Sequence, residues 1–393
     1  MDQAIVSGGN FFTIAMGARL LSVADQGRLG YIFAGYYFLV IVNMTFLYQW
    51  ASAQAPQHLE KDSYRDALVL GAILLGGLGT LFIYVILTIL GRTSEWSFSL
   101  NETVIILAFL FIQQLADFNR RTSYIFANSK RAMISSTVVY VIRILGLLFF
   151  TPASLYYFFL ILLIGAIPTG IITVARLGTF INVILHRYSL LKEHLRGALW
   201  LGNSAPFIWL WGYVPMLISG PVLGVEAVGG YITMNSLTGI GNILMEIFDT
   251  EISVNAARKK KESAESLNVY LSKITLLSLL LWGVSFGGIA LFGKEIIGII
   301  FGQNYLAYFE LLLYLWILLG VTILFRLSTV LLRTLGKPKL VFAGYFVSTC
   351  VVILVTYPII KNFGVNGIAY SLIVGAVFNL ATQQIGLKSR LYA

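Results

Sequence analysis

Runs of apolar residues, each roughly seventeen to twenty-five long and separated by short polar breaks, fill almost all of this chain. As a helix rising about 1.5 Å per residue, such a run crosses the roughly 30 Å hydrocarbon layer of a bilayer. In hydrocarbon every backbone N–H and C=O must find a partner inside the protein, and runs of this length satisfy that demand as α-helices. The expected fold class is therefore an all-α integral membrane protein of about twelve transmembrane helices, near residues 3–24, 29–51, 67–90, 101–118, 133–150, 155–175, 199–219, 229–251, 270–292, 306–332, 340–360 and 364–386. With 58% hydrophobic and only 11% charged residues among 393, the composition excludes an ordinary soluble domain. Ahead of the first run there is neither a basic n-region nor a small-residue cleavage site, so that run is expected to remain as a span.

Lysine and arginine in short loops are retained on the cytoplasmic side, which orients the spans. One set of alternate loops holds nearly all of them: Lys61 and Arg65, then Arg120, Arg121, Lys130 and Arg131, then Arg176, Arg187, Lys192 and Arg196, then Arg258 through Lys261 with Lys273, then Arg333, Lys337 and Lys339, and finally Lys388 and Arg390. The opposite loops carry only Arg28, Arg92, Lys294 and Lys361. Both termini are expected on the cytoplasmic side of the membrane. Net charge +10 therefore reflects topology and not nucleic-acid binding. The outer connections, the longest near 91–100 and 293–305, are too short to hold a catalytic domain.

The chain also repeats itself. The segment 24–32, ADQGRLGYI, returns about two hundred residues later as LGVEAVGGYI at 223–232, each a helix end, an acidic and glycine-containing turn, and Gly-Tyr-Ile opening the next helix. Internal duplication is a common transporter plan. It divides the chain into an N-terminal six-helix lobe, 1–175, a basic interfacial linker, 176–198, in which Phe180, Ile181, Val183, Ile184 and Leu185 alternate with cations that suit anionic lipid, and a C-terminal six-helix lobe, 199–393.

Motifs for ATP, dinucleotide or zinc chemistry are missing, and His58, His186 and His194 all fall in predicted cytoplasmic loops. The single Cys350 rules out an intramolecular disulfide and a cysteine-built metal centre. No catalytic residue, metal or cofactor is expected, and the chain reads as a non-enzyme. The functional pointers are instead polar groups within spans, where even lenient scales put a central arginine or aspartate at about +2.5 to +3.5 kcal/mol. Arg19, Arg143 and Arg326 are the candidate cavity cations, each offering a planar fork of donors suited to phosphate. Asn235, Gly239, Asn242, Glu246, Asp249 and Ser253 share one face of the eighth span. Glu246 and Asp249, one turn apart, could share a proton or a cation. The first span contributes Asn10 and the fourth Gln113, Gln114 and Asp117.

SGGNFF at 7–12, GARLLSVADQGRLGYI at 17–32, its echo at 223–232, KEIIGIIFGQNYLAYFELL at 294–312, RTLGKPKL at 333–340 and NFGVNGIAYSL at 362–372 together resemble the Wzx-type polysaccharide flippases of the multidrug/oligosaccharidyl-lipid/polysaccharide (MOP) exporter superfamily. The resemblance implies two six-helix lobes around a central cavity that opens alternately inward and outward. It implies as cargo an oligosaccharide on undecaprenyl pyrophosphate, the repeat unit of an O-antigen of lipopolysaccharide, a capsule or an exopolysaccharide. Arg19 stands where the family usually has an arginine at the end of its first helix. The chain departs from the family in having Ser253, Val254 and Asn255 where a proline often follows the eighth span, and in lacking leading basic residues. Helices beyond twelve, as in lipid II flippases, are also missing, which argues against a peptidoglycan precursor. Implied partners are the lipid-linked oligosaccharide, membrane lipids, H+ or Na+, and other glycan-assembly proteins, with no nucleic acid. The rival readings are a MATE-like cation-coupled small-molecule antiporter and, from another class, a membrane glycan polymerase or ligase.

Overall fold

The computed structural model describes residues 2–54, 61–90, 98–126, 128–180, 184–247 and 252–388. All regular secondary structure among them is helical. Ten helical stretches are long and apolar enough to cross a membrane, and they make this a multi-pass membrane protein. The other two expected spans are helices as well, α1 (Asp2–Leu20) and α10 (Val225–Ile247). Both carry polar residues among the apolar ones, α1 Asp2, Gln3, Ser7, Asn10 and Arg19, and α10 Glu226, Asn235, Asn242 and Glu246.

The structure forms two compact units, one of residues 1–21 and 28–209, the other of residues 22–27 and 210–393. In the first unit α1 is followed by α2 (Val23–Asn43), whose end widens into a π-turn, Met44–Tyr48, before α3 (Gln49–Gln54). The Thr45 hydroxyl donates to the carbonyls of Ile41 and Val42 there, a side-chain claim on backbone acceptors of the kind that bends helices. Next come α4 (Lys61–Leu90), α5 (Leu100–Ile125), α6 (Ser129–Phe150) and α7 (Leu155–Phe180). Ser99 caps α5, its hydroxyl accepting from the Glu102 N–H while Glu102 accepts from the Ser99 N–H, two end donors satisfied at once. The core of this unit is aliphatic and aromatic, with Leu29, Ile32, Phe109, Leu110, Phe158 and Phe159 sealed inside. Large apolar side chains such as Leu78, Leu81, Phe149 and Phe150 face outward, as a lipid-facing surface requires.

The basic segment 176–198 is mostly helix: α7 runs to Phe180 and α8 (Ile184–Gly202) covers most of the rest, although Ile181 and Val183 lie outside the described residues. It clusters with the first unit. His194 is buried there, its two ring nitrogens within 2.7 Å of the Tyr64 hydroxyl and 2.9 Å of the Phe46 carbonyl. A periodic reading takes it for an exposed loop residue because the partners come from elsewhere in the chain.

The second unit contains most of α9 (Ala205–Leu223), then α10, α11 (Ser253–Glu262), α12 (Ala264–Ile300), a 3-10 turn (Gln303–Tyr308), α13 (Phe309–Thr334), α14 (Pro338–Phe363) and α15 (Asn366–Lys388). The basic cluster Arg258 to Lys261 is helical, and Lys260 donates to the Thr334 carbonyl at 2.8 Å. The outer connection expected at 293–305 is much shorter than its sequence suggests. Lys294 and Glu295 read as a break, yet α12 continues through them to Ile300, and Lys294 rests over the Phe309 ring. Where the first turns of α10 meet Val23 to Gly27, the backbones touch. A Cβ on Gly27 would stand 2.1 Å from the Val225 carbonyl oxygen, and one on Gly229 2.2 Å from that of Val23.

Candidate functional site

The first unit holds a continuous polar network in a setting that is otherwise apolar. At its inner end Arg143 of α6 is 3% exposed. It reaches α7, where Nε and Nη2 donate to the Leu162 carbonyl at 3.1 and 3.0 Å, and Nη2 also donates to the Gln113 Oε1 of α5. Its guanidinium carbon lies 5.6 Å from the ring centroids of both Phe109 and Tyr140, close enough for cation–π attraction. Gly165 makes this possible, because a Cβ there would come 2.6 Å from Arg143 Cγ. No carboxylate lies within ion-pair distance of Arg143 among the described residues.

From Gln113 the network continues outward from the arginine. The Gln113 amide donates to the Tyr36 hydroxyl at 3.4 Å, and that hydroxyl donates to Asp117. Asp117 lies 4.0 Å from Arg120, which pairs with Asp2 at 3.0 Å, and Asp2 also accepts from the Tyr124 hydroxyl at 2.8 Å. Beside this line Asn43 donates to Gln114. Two carboxylates and two guanidiniums thus stand in one buried system, with the negative charges gathered around Arg120 and Arg143 left at the other end. Burying an unmatched charge is costly, so the asymmetry calls for a function.

Arg143 opens on a cavity lined with Asn10, Thr13, Tyr36, Tyr37 and Gln113, with Ile14, Phe33, Phe109 and Leu162 as its apolar walls. Its free volume is about 20 Å³, where one water needs roughly 10–15 Å³. The cavity therefore takes one or two water-sized bodies. Gly9 lets α1 approach, since a Cβ there would fall 2.1 Å from the Tyr140 ring, and the Tyr140 hydroxyl donates to Asn10 Oδ1 at 2.7 Å.

Of the residues singled out in the sequence, Asn10 and Arg143 line this cavity and Asp117 joins them through Tyr36 and Gln113. Arg19 stands exposed in the last turn of α1, where a cation complements the helix dipole. Arg326 is half-buried in α13 of the second unit, its guanidinium 6.0 Å from the Phe325 ring centroid. Asn235 is exposed and accepts from the Thr238 hydroxyl. The side chains of Asn242 and Glu246 and all of Asp249 lie outside the described residues. Sequence reading missed Tyr36, Tyr140, Asp2 and Arg120. Arg120 looks like a loop cation because the fourth apolar run fades near residue 118, but α5 continues to Ile125 and buries it. Its spacing of three from Asp117 was the available signal.

No family model matches the chain, and no curated protein matches it in sequence. Solved structures do match it in fold. An inward-facing multidrug resistance MATE family transporter of the MOP superfamily superposes with a TM-score of 0.76 at 13% identity, over 99% of this chain and 94% of the other. The lipid II flippase MurJ, in an inward closed conformation, gives 0.74 at 13% identity over 98% and 86%. A MOP superfamily transporter from Pyrococcus furiosus, described as having a binding pocket of reversed polarity, gives 0.67 at 15% identity over 100% and 95%. The fold is that of the MOP superfamily transporters, and these structural neighbours are transporters and flippases, not enzymes.

Proposed function

We propose that this protein is a flippase of the bacterial inner membrane that moves an undecaprenyl-pyrophosphate-linked oligosaccharide from the inner to the outer leaflet, with both termini cytoplasmic. The observation that carries the reading is Arg143, a buried guanidinium without a carboxylate partner among the described residues. It makes the interior of the first unit attractive to anions. Carrying a pyrophosphate through hydrocarbon leaves charge and hydroxyls unmatched at great cost, and fixed cations lower that barrier. Arg19, Arg143 and Arg326 serve in this reading as phosphate-attracting groups, and Asn235, Asn242, Glu246 and Asp249 are the candidates for binding sugars or a coupling H+ or Na+. The likeness to MurJ, a flippase for a lipid-linked precursor, supports the cargo class. With the cell interior negative, outward passage of two negative charges is favoured by about 4 to 5 kcal/mol at 100 mV, so the potential itself can drive transport.

A second reading, a MATE-like cation-coupled antiporter of small molecules, draws on Asp117, a carboxylate held by Tyr36 in the same network, and on the equally good fold match. Deleting the gene separates the two. Loss of surface glycan with lipid-linked oligosaccharide accumulating on the cytoplasmic leaflet is the outcome expected of a flippase. Unchanged glycan and intermediate would sink that reading in favour of the antiporter.

A further inference from the structure

We propose that the cavity between Arg143 and Asn10 is a binding site for a single small monovalent anion of halide type. This ligand is distinct from the cargo and occupies Arg143 in the cargo-free protein. The hydrogen bonds already made decide which chemistry the cavity has left to offer. Arg143 spends Nε and Nη2 on Leu162 and Gln113, which leaves Nη1. Asn10 accepts through Oδ1 from Tyr140, which fixes the amide and leaves its NH2 group. The Thr13 hydroxyl gives its hydrogen to the Gly9 carbonyl and the Tyr36 hydroxyl gives its own to Asp117. Gln113 is used on both sides, accepting from Arg143 and donating to Tyr36.

The hydrogens left unspent among these groups belong to Arg143 Nη1 and Asn10 Nδ2, one of them cationic, beside the lone pairs of the Thr13 and Tyr36 hydroxyls, and the lining contains no carboxylate among the described residues. A metal cation finds a fixed positive charge in that space, and a neutral water leaves the charge uncompensated. A monovalent anion accepts from Arg143 Nη1 and Asn10 Nδ2 and neutralises the guanidinium, at the stronger end of hydrogen bonding because one donor is charged. Size fits such a ligand, since in this conformation the cavity has room for one or two waters and so for a halide. Phe33, Phe109 and Leu162 supply the apolar wall that strengthens the attraction by lowering the local dielectric.

The test uses the full chain purified in detergent in gluconate buffer, with chloride added at constant ionic strength while thermal unfolding is followed. Chloride should raise the unfolding temperature to saturation, the linkage expected of a ligand that binds only the folded state. Arg143→Gln should abolish that rise. Asn10→Leu, close in size but lacking the amide donor, should shift the half-saturating chloride upward about tenfold, the loss of one charge-related hydrogen bond. Crystals grown in bromide should show an anomalous peak between the two side chains. A wild-type protein indifferent to chloride overturns the site, as does a response that survives both substitutions or bromide crystals with no peak in the cavity. If Arg143→Gln does not fold, Asn10→Leu and the bromide map decide. No lipid-linked glycan is present in these experiments, so their failure leaves the cargo reading standing, and failure of the cargo reading leaves the anion site standing.

Discussion

Arg143 is where sequence and structure meet most closely. A charged residue in the middle of an apolar run is visible in the sequence, and its cost in hydrocarbon marks it as functional. What it touches was not visible, because Gln113, Leu162 and Tyr140 come together only when α5, α6 and α7 pack. Arg143→Ala should abolish glycan export while the protein remains in the membrane, measured by surface glycan beside membrane abundance; wild-type export would remove Arg143 from the transport machinery. Arg143→Lys should keep partial export where charge alone matters, because an ammonium cannot reproduce the fork to Leu162 and Gln113. At the opposite end of the network, Asp2→Asn weakens the partner of Arg120 and the acceptor of Tyr124. Breaking one side of a buried pair costs about 3 to 5 kcal/mol, so thermal unfolding in detergent should shift down well beyond the effect of an exposed change such as Glu265→Gln.

At the scale of elements, glycine decides how closely helices approach. Gly165 leaves the space through which Arg143 reaches α7, and Gly165→Ala should displace the arginine, overpacking the site by about 1 to 3 kcal/mol. A melting temperature equal to wild type would contradict that. Gly27 and Gly229 let the starts of α2 and α10 touch through their backbones, and Gly27→Ala meets a carbonyl oxygen that no rotamer change can move aside. Helix existence was legible from the length of each apolar run, whereas helix ends were not. The fourth run fades near residue 118 and the ninth near residue 292, yet α5 continues to Ile125 and α12 to Ile300. In both places the polar residues that suggested a break are accommodated on the helix, Arg120 by pairing with Asp2 and Lys294 by resting over Phe309. The π-turn at Met44–Tyr48 had no legible mark at all.

For the whole molecule, orientation is the property most open to test. Cys350 is the one cysteine in the chain, so Cys350→Ser gives a background for placing single cysteines. A cysteine at Lys130 should resist a membrane-impermeant thiol reagent in intact cells, and one at Ser99 should react. The reverse pattern would invert the topology and with it the direction of transport assigned here. In proteoliposomes, an inside-negative potential should speed outward movement of a lipid-linked oligosaccharide and collapse of the potential should slow it. The amino-acid sequence by itself determined that this chain spans a membrane as about twelve helices, because run length and backbone hydrogen bonding in hydrocarbon leave no other solution. It also marked Asn10, Asp117 and Arg143 as polar groups that need a reason. Only the tertiary structure decided that these three belong to one network, that Tyr36 and Gln113 join them, and that Arg143 is left without a carboxylate partner among the described residues, beside a cavity of water size. Those facts depend on side chains from α1, α2, α5 and α6, and hydrophobic periodicity reports which face of a helix is buried, not which helix it is buried against.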